Sequence, residues 1–142
     1  MSNGGLSSKG LARVRGVLER NVAAGYVPGA VAVVARHGAR VLSRPSVTLM
    51  TSDHLTPAQQ AFSGFPPYFQ NFGWGFGMSV RTRRTHLGPS VGSYGWNGHG
   101  TIWYTDPAED MTTILMTQRA DSPPWRPIFV DFLTAVYQAI DD

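Results

Sequence analysis

Two serines and one histidine lie close together in the chain and are the candidates for nucleophilic chemistry: Ser90, Ser93 and His99. Ser90 is the central residue of segment 88–92, Gly-Pro-Ser-Val-Gly, which matches the G-x-S-x-G pattern of a nucleophile elbow. An elbow of this kind needs a strand before the serine and a helix after it, because the strained turn exposes the hydroxyl. Here a proline-containing turn leads into another predicted strand. The context therefore favours a hairpin loop over an elbow.

His99 stands between two glycines, which would leave its imidazole accessible. An accessible histidine could act as a general base or donate a hydrogen bond to an acyl oxygen. If the chain hydrolyses esters, the residues that share one predicted hairpin would do so: Ser90 or Ser93 as nucleophile, with His99 as base. The alternative is that His99 is an ordinary surface histidine without a catalytic partner.

Metal and cofactor sites are not predicted. The four histidines are dispersed, without i, i+4 or H-x-H spacing, and the chain has no cysteine, which excludes disulfides and cysteine-ligated zinc. Segment 73–77, Gly-Trp-Gly-Phe-Gly, misses the dinucleotide fingerprint, because Met78 stands where a glycine is needed. We therefore expect no metal and no cofactor.

Composition indicates a globular chain of 142 residues, 42% hydrophobic and 15% charged. The net charge is +3, and segment 81–84, Arg-Thr-Arg-Arg, is the most basic stretch. It lacks the interleaved aromatics and the recognition helix of nucleic-acid binders, so we interpret it as a solvated hairpin tip and expect no nucleic-acid partner. No apolar run reaches membrane-spanning length, and residues 1–9 show no signal peptide. A membrane association is not expected, and the expected location is the cytoplasm.

The first part of the chain predicts a helix followed by strands. One helical face would carry Leu11, Val14, Leu18 and Val22, between a Ser7 or Ser8 cap and a left-handed stop at Gly25. The valine-rich run Ala30–Ala35 predicts a strand buried on both faces, and Arg40–Leu42 would begin a return strand.

The remainder predicts short helices, three strands and a closing helix. Ser43 before Arg44-Pro45 is typical of a helix start, and Thr56 with Gln59 fits a capping box. The predicted strands are Trp74–Val80, Ile102–Thr105 and Met111–Gln118, and an apolar helical stripe runs from Phe129 to Ile140. The predicted fold is α+β, an antiparallel sheet of about five strands with the N- and C-terminal helices on one face.

Segment 94–107, Tyr-Gly-Trp-Asn-Gly-His-Gly-Thr-Ile-Trp-Tyr-Thr-Asp-Pro, with 109–111 and 114–118 after it, resembles the C-terminal strands of a known superfamily. That superfamily comprises the serine β-lactamases, the penicillin-binding proteins and the family VIII carboxylesterases. The resemblance implies that Trp96, Asn97 and Gly98 are the third catalytic motif, in its esterase-like form. It also implies that their strand lines an active site and supplies a backbone N–H to the oxyanion hole.

The first two catalytic motifs of that superfamily are absent from this chain. Its only lysine is Lys9, and Leu6 stands three positions earlier, so no Ser-x-x-Lys can be written. No tyrosine is followed two positions later by asparagine. The resemblance covers nearly all of the chain in two blocks that meet near residues 41–43, which implies an internal deletion of the helical subdomain.

The sequence therefore predicts one truncated domain over residues 1–142. It comprises a helix and strand pair (1–42), a linker with short helices (43–71), and three strands with a closing helix (72–142). The preferred function is an inactive or vestigial hydrolase scaffold, and the alternatives are the Ser90/Ser93–His99 esterase and a self-associating module. Expected partners are a second copy, bound through the uncovered sheet face, and a small ester or amide. The aromatics of residues 61–71 are a competing cover for that face.

Overall fold

A computed structural model describes residues 6–36, 42–62, 69–119 and 128–141 of the chain. The helices are α1 (Ser8–Ala23), α2 (Arg44–Met50), α3 (Pro57–Phe62) and α4 (Ile128–Tyr137). The strands are β1 (Ala30–Arg36), β2 (Phe72–Trp74), β3 (Ser79–Arg81), β4 (Tyr94–Gly98), β5 (Thr101–Asp106) and β6 (Met111–Thr117).

The strands form one six-stranded antiparallel sheet in the order β1-β6-β5-β4-β3-β2. The predicted α+β class is confirmed, with six strands in place of about five. The predicted strand Trp74–Val80 is a hairpin of two short strands, β2 and β3, and residues 94–98 form the separate strand β4. Gly75 N–H donates to the Met78 carbonyl at 2.9 Å, and Gly77 has a φ of +79°, so the chain turns where one strand was expected.

Helix α1 begins and ends as the sequence predicted. The Ser7 hydroxyl accepts a hydrogen bond from Gly10 N–H at 3.0 Å, and Gly25 has a φ of +66° beyond the last turn. The predicted apolar stripe is shifted, because Val17 is buried with Val14 whereas Val22 is exposed. The helix is therefore rotated slightly from the face that the simple spacing indicated.

Helices α1 and α4 pack together on one face of the sheet, as predicted. We call this the core face, and its sheet residues alternate along β5 and β6: Ile102, Tyr104, Met111 and Leu115. The opposite face, called here the open face, is formed by the intervening residues of the four strands β1, β6, β5 and β4. The register places them in rows: Val31, Met116, Thr101, Gly98; Val33, Ile114, Trp103, Trp96; and Ala35, Thr112, Thr105, Tyr94.

The prediction that Ala30–Ala35 is buried on both faces is wrong. Val31 is 63% exposed and Val33 is 48% exposed, because β1 lies at the edge of the sheet and both side chains lie on the open face. A valine-rich run is typical of a strand between two layers. The residues of β1 by themselves do not show that a second layer over the open face is missing.

The linker forms α2 and α3 with the predicted caps. Ser43 caps α2 through Ser46 N–H, and Thr56 and Gln59 make the reciprocal bonds of a capping box before α3. Residues 40 and 41 of the predicted return strand lie outside the described ranges. Leu42 is described and lies in a bend that leads directly into α2.

Residues 63–68 of the aromatic loop also lie outside the described ranges. Phe62 is described, and its side chain is 94% exposed, so it does not cover the open face.

Helix α2 is held at its C-terminus by the β2–β3 hairpin. Phe76 N–H donates to the Met50 carbonyl at 2.9 Å, and a side chain at Gly75 would collide with the same oxygen.

Candidate functional site

Strand β4 determines where the candidate catalytic residues lie. Ser90 and Ser93 precede it, and His99 follows it, so they occupy opposite ends of one extended strand. Six residue steps separate Ser93 from His99, which corresponds to roughly 20 Å at about 3.3 Å per residue. A general base must come within about 3 Å of its nucleophile, directly or through one water. The structure therefore does not bring either serine together with His99.

Ser93 is fully buried, and its hydroxyl has no hydrogen-bond partner among the described residues. It shares the face of Gly95, which pairs with the core residue Tyr104. The hydroxyl thus points away from the open face and from bulk solvent. A substrate carbonyl has no route to it in this arrangement.

Ser90 is half-buried in the loop between β3 and β4, and this loop is not an elbow. Its backbone N–H donates to Oδ2 of Asp106 at 2.7 Å, and the following chain enters strand β4 rather than a helix. Gly92 has a φ of +87°, which makes the tight turn into the strand. The hairpin interpretation of the Gly-Pro-Ser-Val-Gly pentapeptide is confirmed by this placement.

His99 is exposed at the turn between β4 and β5. Its backbone is left-handed, with a φ of 48°, and the next residue, Gly100, has a φ of 78°. Two consecutive left-handed residues are typical of a type I′ hairpin turn. His99 therefore occupies a turn position, and its side chain is exposed, as the flanking glycines suggested.

The third-motif residues are in a strand, as the resemblance implies. Trp96 is 44% exposed on the open face, where its ring packs edge-to-face against Trp74 at 5.0 Å. Asn97 and Gly98 pair with Ile102 and Thr101 of β5, whereas the register of β3 reaches only Tyr94 and Gly95. The outer part of β4 is therefore paired with β5 and not with β3.

Lys9, the only lysine, is the second residue of α1 and is exposed. Because α1 packs on the core face, this amine lies across the sheet from Trp96 and its row. It cannot serve as the base of a site on the open face.

A buried carboxylate at the end of β5 was missed by the sequence reasoning. Asp106 is 1% exposed and accepts hydrogen bonds from the Tyr137 hydroxyl at 2.5 Å, Ser90 N–H at 2.7 Å and Ala108 N–H at 3.0 Å. Burial, followed by the hydrogen bond and the charge of Asp106, raises the pKa of Tyr137, so this phenol stays protonated and donates. The Asp-Pro turn was the available sequence signal, but it does not reveal the distant tyrosine.

A cavity of about 520 Å³ lies between α2 and one end of the open face. Val47 of α2 and Thr51, which directly follows the helix, line one side, and Tyr94, Thr105 and Thr112 of the sheet line the other. No sequence pattern indicated this cavity, because it forms between elements that are distant in the chain.

Two further findings concern the described part of the chain alone. Its histidines and acidic residues form no group of three or more that could hold a metal ion. None of its helices has the length and apolar character needed to cross a membrane.

No family model matches the chain. Two curated relatives from Mycobacterium tuberculosis, the uncharacterized protein MT1414 (strain CDC 1551 / Oshkosh) and protein Rv1367c (strain H37Rv), are each 38% identical over 88 residues. The match covers 57% of this chain and 22% of each relative. The chain thus spans about a fifth of the length of these relatives.

Solved structures with a similar fold are three to four times as long as the part they share with this chain. EstCE1, a hydrolase with promiscuous acyltransferase activity, matches with a TM-score of 0.53 and 19% identity, over 70% of this chain and 26% of its own. A LovD6 mutant of simvastatin synthase from Aspergillus terreus matches with a TM-score of 0.56 and 17% identity, over 88% and 31%. The unliganded synthase from the same organism gives a TM-score of 0.54 at 17% identity, over 87% and 32%. At these identities the similarity concerns the fold alone, and the α+β architecture of this chain is compatible with part of a β-lactamase-like fold.

Proposed function

We propose that this chain is a truncated β-lactamase-like scaffold that does not carry out acyl-enzyme chemistry. The observation that carries the proposal is the separation of Ser90 and Ser93 from His99 by the length of β4. Nucleophilic catalysis by serine needs a base in hydrogen-bond reach of the hydroxyl. Among the described residues, neither His99 nor the lone lysine meets that requirement for Ser90 or Ser93.

The partial motif at Trp96–Gly98 does not change this conclusion. Backbone donors of an oxyanion strand stabilise charge that develops on a substrate oxygen, but they do so only after a nucleophile has attacked. Without an activated nucleophile, binding and backbone donors alone leave only a small residual rate. We expect turnover near the uncatalysed background.

An internal deletion accounts for the lost chemistry. Strand β1 ends at Arg36 and α2 begins at Arg44, so seven residues connect them. The solved structures of similar fold share only 26–32% of their length with this chain. Both observations support the loss of a segment between the two blocks.

Mass spectrometry of the intact protein tests this proposal. The chain is incubated with benzylpenicillin and, separately, with a fluorophosphonate, and the mass is recorded with Ser90→Ala and Ser93→Ala variants as controls. We expect no stoichiometric adduct. A complete adduct that one of the serine variants abolishes would overturn the proposal, because it would identify an activated serine.

A second candidate function, self-association, is favoured by the open face. Val31, Val33, Met116 and Trp96 are between 44% and 63% exposed there, and the three rows contain no charged residue. Contiguous apolar surface of this kind is uncommon on a monomer and marks interaction sites. We propose that a second copy of the chain covers it.

The two rows of the open face that lie farthest from α2 carry side chains of complementary size. One row carries the large side chains Trp103 and Trp96, and the other carries Thr101 and Gly98 at the same strands. A two-fold axis between these rows, perpendicular to the strands, would place the tryptophans of each copy over the small residues of the other. Such an isologous contact is the commonest form of a homodimer.

The area of this surface predicts a weak dimer. Four strands about 4.8 Å apart and two rows about 7 Å apart give this surface a projected area of roughly 250 Å². A stable interface buries about 800 Å² per partner. Two leucines beside this surface, Leu42 and Leu49, are 51% and 55% exposed. They enlarge the contact but do not make it a permanent interface. We expect association that depends on concentration.

A further inference from the structure

We propose that the outer edge of β1 binds an extended acidic peptide of a partner protein, which joins the sheet as an additional strand beside α1. Among the described strands, β1 has a neighbour on one side alone, which is β6. This inference goes beyond the proposed function, because it depends neither on the candidate catalytic residues nor on a contact across the open face.

The hydrogen bonds of β6 show which backbone groups of β1 face outwards. Thr117 N–H donates to the Gly100 carbonyl at 3.0 Å, so the backbone of Thr117 is directed towards β5 and away from its partner Ala30. Successive residues of an antiparallel strand direct their backbone groups to opposite sides. The residues of β1 whose N–H and C=O groups point away from the sheet are therefore Ala30, Ala32 and Val34.

The opposite edge of the sheet, β2, is covered by the chain itself. Trp74 N–H donates to Oδ1 of Asp53 at 3.0 Å, and His54 N–H donates to the Trp74 carbonyl at 3.0 Å. Sheet edges are usually protected by such cover, by charged residues or by proline, because an unpaired edge attracts other strands. Residues 30–35 of β1 are all alanine or valine and provide no such protection. The outward backbone groups of β1 are therefore suited to a strand from another chain.

A groove of about 500 Å³ lies beside this edge, between the C-terminal part of α1 and the first residue of β1. Leu18, Val22 and Ala23 of α1 line it together with Ala30. A residue of an added strand opposite Ala30 carries its side chain on the same face as Ala30, which packs against the core. That side chain would enter the groove. Peptides that extend a sheet gain affinity from main-chain hydrogen bonds and specificity from pockets of this kind.

The charges around the groove favour an acidic peptide with an apolar residue at that position. Arg15 and Glu19 line the groove, and their formal charges offset each other, which suits an uncharged side chain there. The rest of α1 carries Lys9, Arg13 and Arg20 without a further acid, and this excess attracts glutamates on either side of the apolar centre. A second copy of β1 fits less well, because it has no acidic residue and brings two basic helices together.

A synthetic peptide tests the binding: acetyl-Glu-Glu-Val-Thr-Val-Thr-Val-Glu-Glu-amide, titrated into the full chain. Changes in a ¹H–¹⁵N spectrum should saturate with a Kd below about 1 mM and should be largest at the amides of β1. The same peptide with lysine in place of every glutamate should bind at least tenfold more weakly. A peptide with N-methyl groups on its valines cannot donate to the edge and should not bind. No saturation, equal affinity of the lysine peptide, or binding of the methylated peptide would each overturn the proposal.

Matched variants place the peptide on β1. Ala32→Pro removes an outward N–H while leaving the bonds to β6 intact, because proline is tolerated at an edge, and it should abolish binding. Ala23→Glu puts a carboxylate in the groove and should weaken binding at least fivefold. Ala12→Glu makes the same change on an exposed part of α1 outside the groove and should weaken it less than twofold. Equal effects of the two glutamates, or unchanged binding in a folded Ala32→Pro, would show that the peptide binds elsewhere; the glutamate pair decides if Ala32→Pro does not fold.

Sedimentation of Ala32→Pro without peptide separates this proposal from self-association. A dimer through the open face does not use the outward backbone groups of β1, so we expect the same monomer–dimer equilibrium as in wild type. A shift towards monomer would identify a second copy as the occupant of the edge and would overturn the peptide proposal. Neither result affects the absence of acyl-enzyme chemistry.

Discussion

The hydroxyl of Tyr137, the last residue of α4, donates a 2.5 Å hydrogen bond to Oδ2 of Asp106, the last residue of β5. Both residues are buried, and the same carboxylate holds Ser90 N–H and Ala108 N–H. One side chain thereby connects the closing helix, the β5–β6 turn and the loop before β4. We call the set of hydrogen bonds accepted by Asp106 the clamp. Ser90, the serine of the G-x-S-x-G pentapeptide, is therefore part of a structural feature.

Tyr137→Phe should lower the free energy of unfolding by about 1–3 kcal/mol, because a buried carboxylate loses a donor that water cannot replace. Urea unfolding measures the change. Tyr104→Phe is the matched control: this tyrosine lies in the same core, and its hydroxyl makes no hydrogen bond to a described residue. A loss as large in Tyr104→Phe as in Tyr137→Phe would show that the clamp contributes nothing specific.

His86 should make the chain less stable in mild acid. Burial, then the charges of Arg81 and Arg84, lower its pKa below the usual value near 6.5, and its Nε2 is buried without a described partner. The unfolded chain therefore binds a proton more readily than the folded chain between the folded pKa and about 6.5, so the free energy of unfolding falls as the pH drops through that window.

The measurement is a series of urea titrations from about pH 7.5 to pH 5, in wild type and His86→Gln. As the pH drops, we expect the free energy of unfolding of His86→Gln to fall less than that of wild type. His99→Gln, at an exposed turn, is the control and should show the wild-type decrease. Parallel curves for wild type and His86→Gln would contradict the assignment.

Hydrolysis of p-nitrophenyl acetate should not depend on the serines and the histidine near β4. Because β4 separates them by roughly 20 Å, Ser90→Ala, Ser93→Ala and His99→Ala should each leave the low background rate unchanged. Spectrophotometric rates at several protein concentrations measure this. A decrease of orders of magnitude in His99→Ala together with one of the serine variants would restore the esterase hypothesis.

Self-association should be disrupted by charge on the open face. Val33→Lys places an ammonium in the proposed contact and should shift the monomer–dimer equilibrium at least tenfold towards monomer, because burying an unpaired charge is costly. Val22→Lys is the control, since Val22 is 39% exposed on α1, across the sheet. Sedimentation velocity over a range of concentrations reports the equilibrium. A wild-type monomer near 15.5 kDa at every concentration would refute the dimer.

The local features of the fold followed from the sequence. The caps at Ser7, Ser43 and Thr56 and the turn at Gly25 were predicted because each depends on residues within one turn of the chain. Strands β5 and β6 followed from their strand-favouring residues and from the Asp-Pro turn between them. The class of fold, with both terminal helices on one face, followed from the order of these elements.

Only the tertiary structure decided what surrounds each strand. The burial of Val31 and Val33 depends on a second layer over the open face. The residues of the strand itself do not encode the presence of that layer. The hairpin within Trp74–Val80 brings Gly75 against the Met50 carbonyl of α2, which comes from a different part of the chain.

The candidate site shows the same division. The sequence alone determined that Ser-x-x-Lys and Tyr-x-Asn are absent, and the interpretation of Trp96–Gly98 as a third motif stays a prediction from the resemblance. Proximity in sequence suggested that Ser90, Ser93 and His99 could meet, but an extended strand moves its ends apart by about 3.3 Å for every residue. The Asp106–Tyr137 contact joins residues 31 positions apart, and the cavity joins α2 to four strands. Such contacts arise from packing between distant segments, so only the folded chain could reveal them.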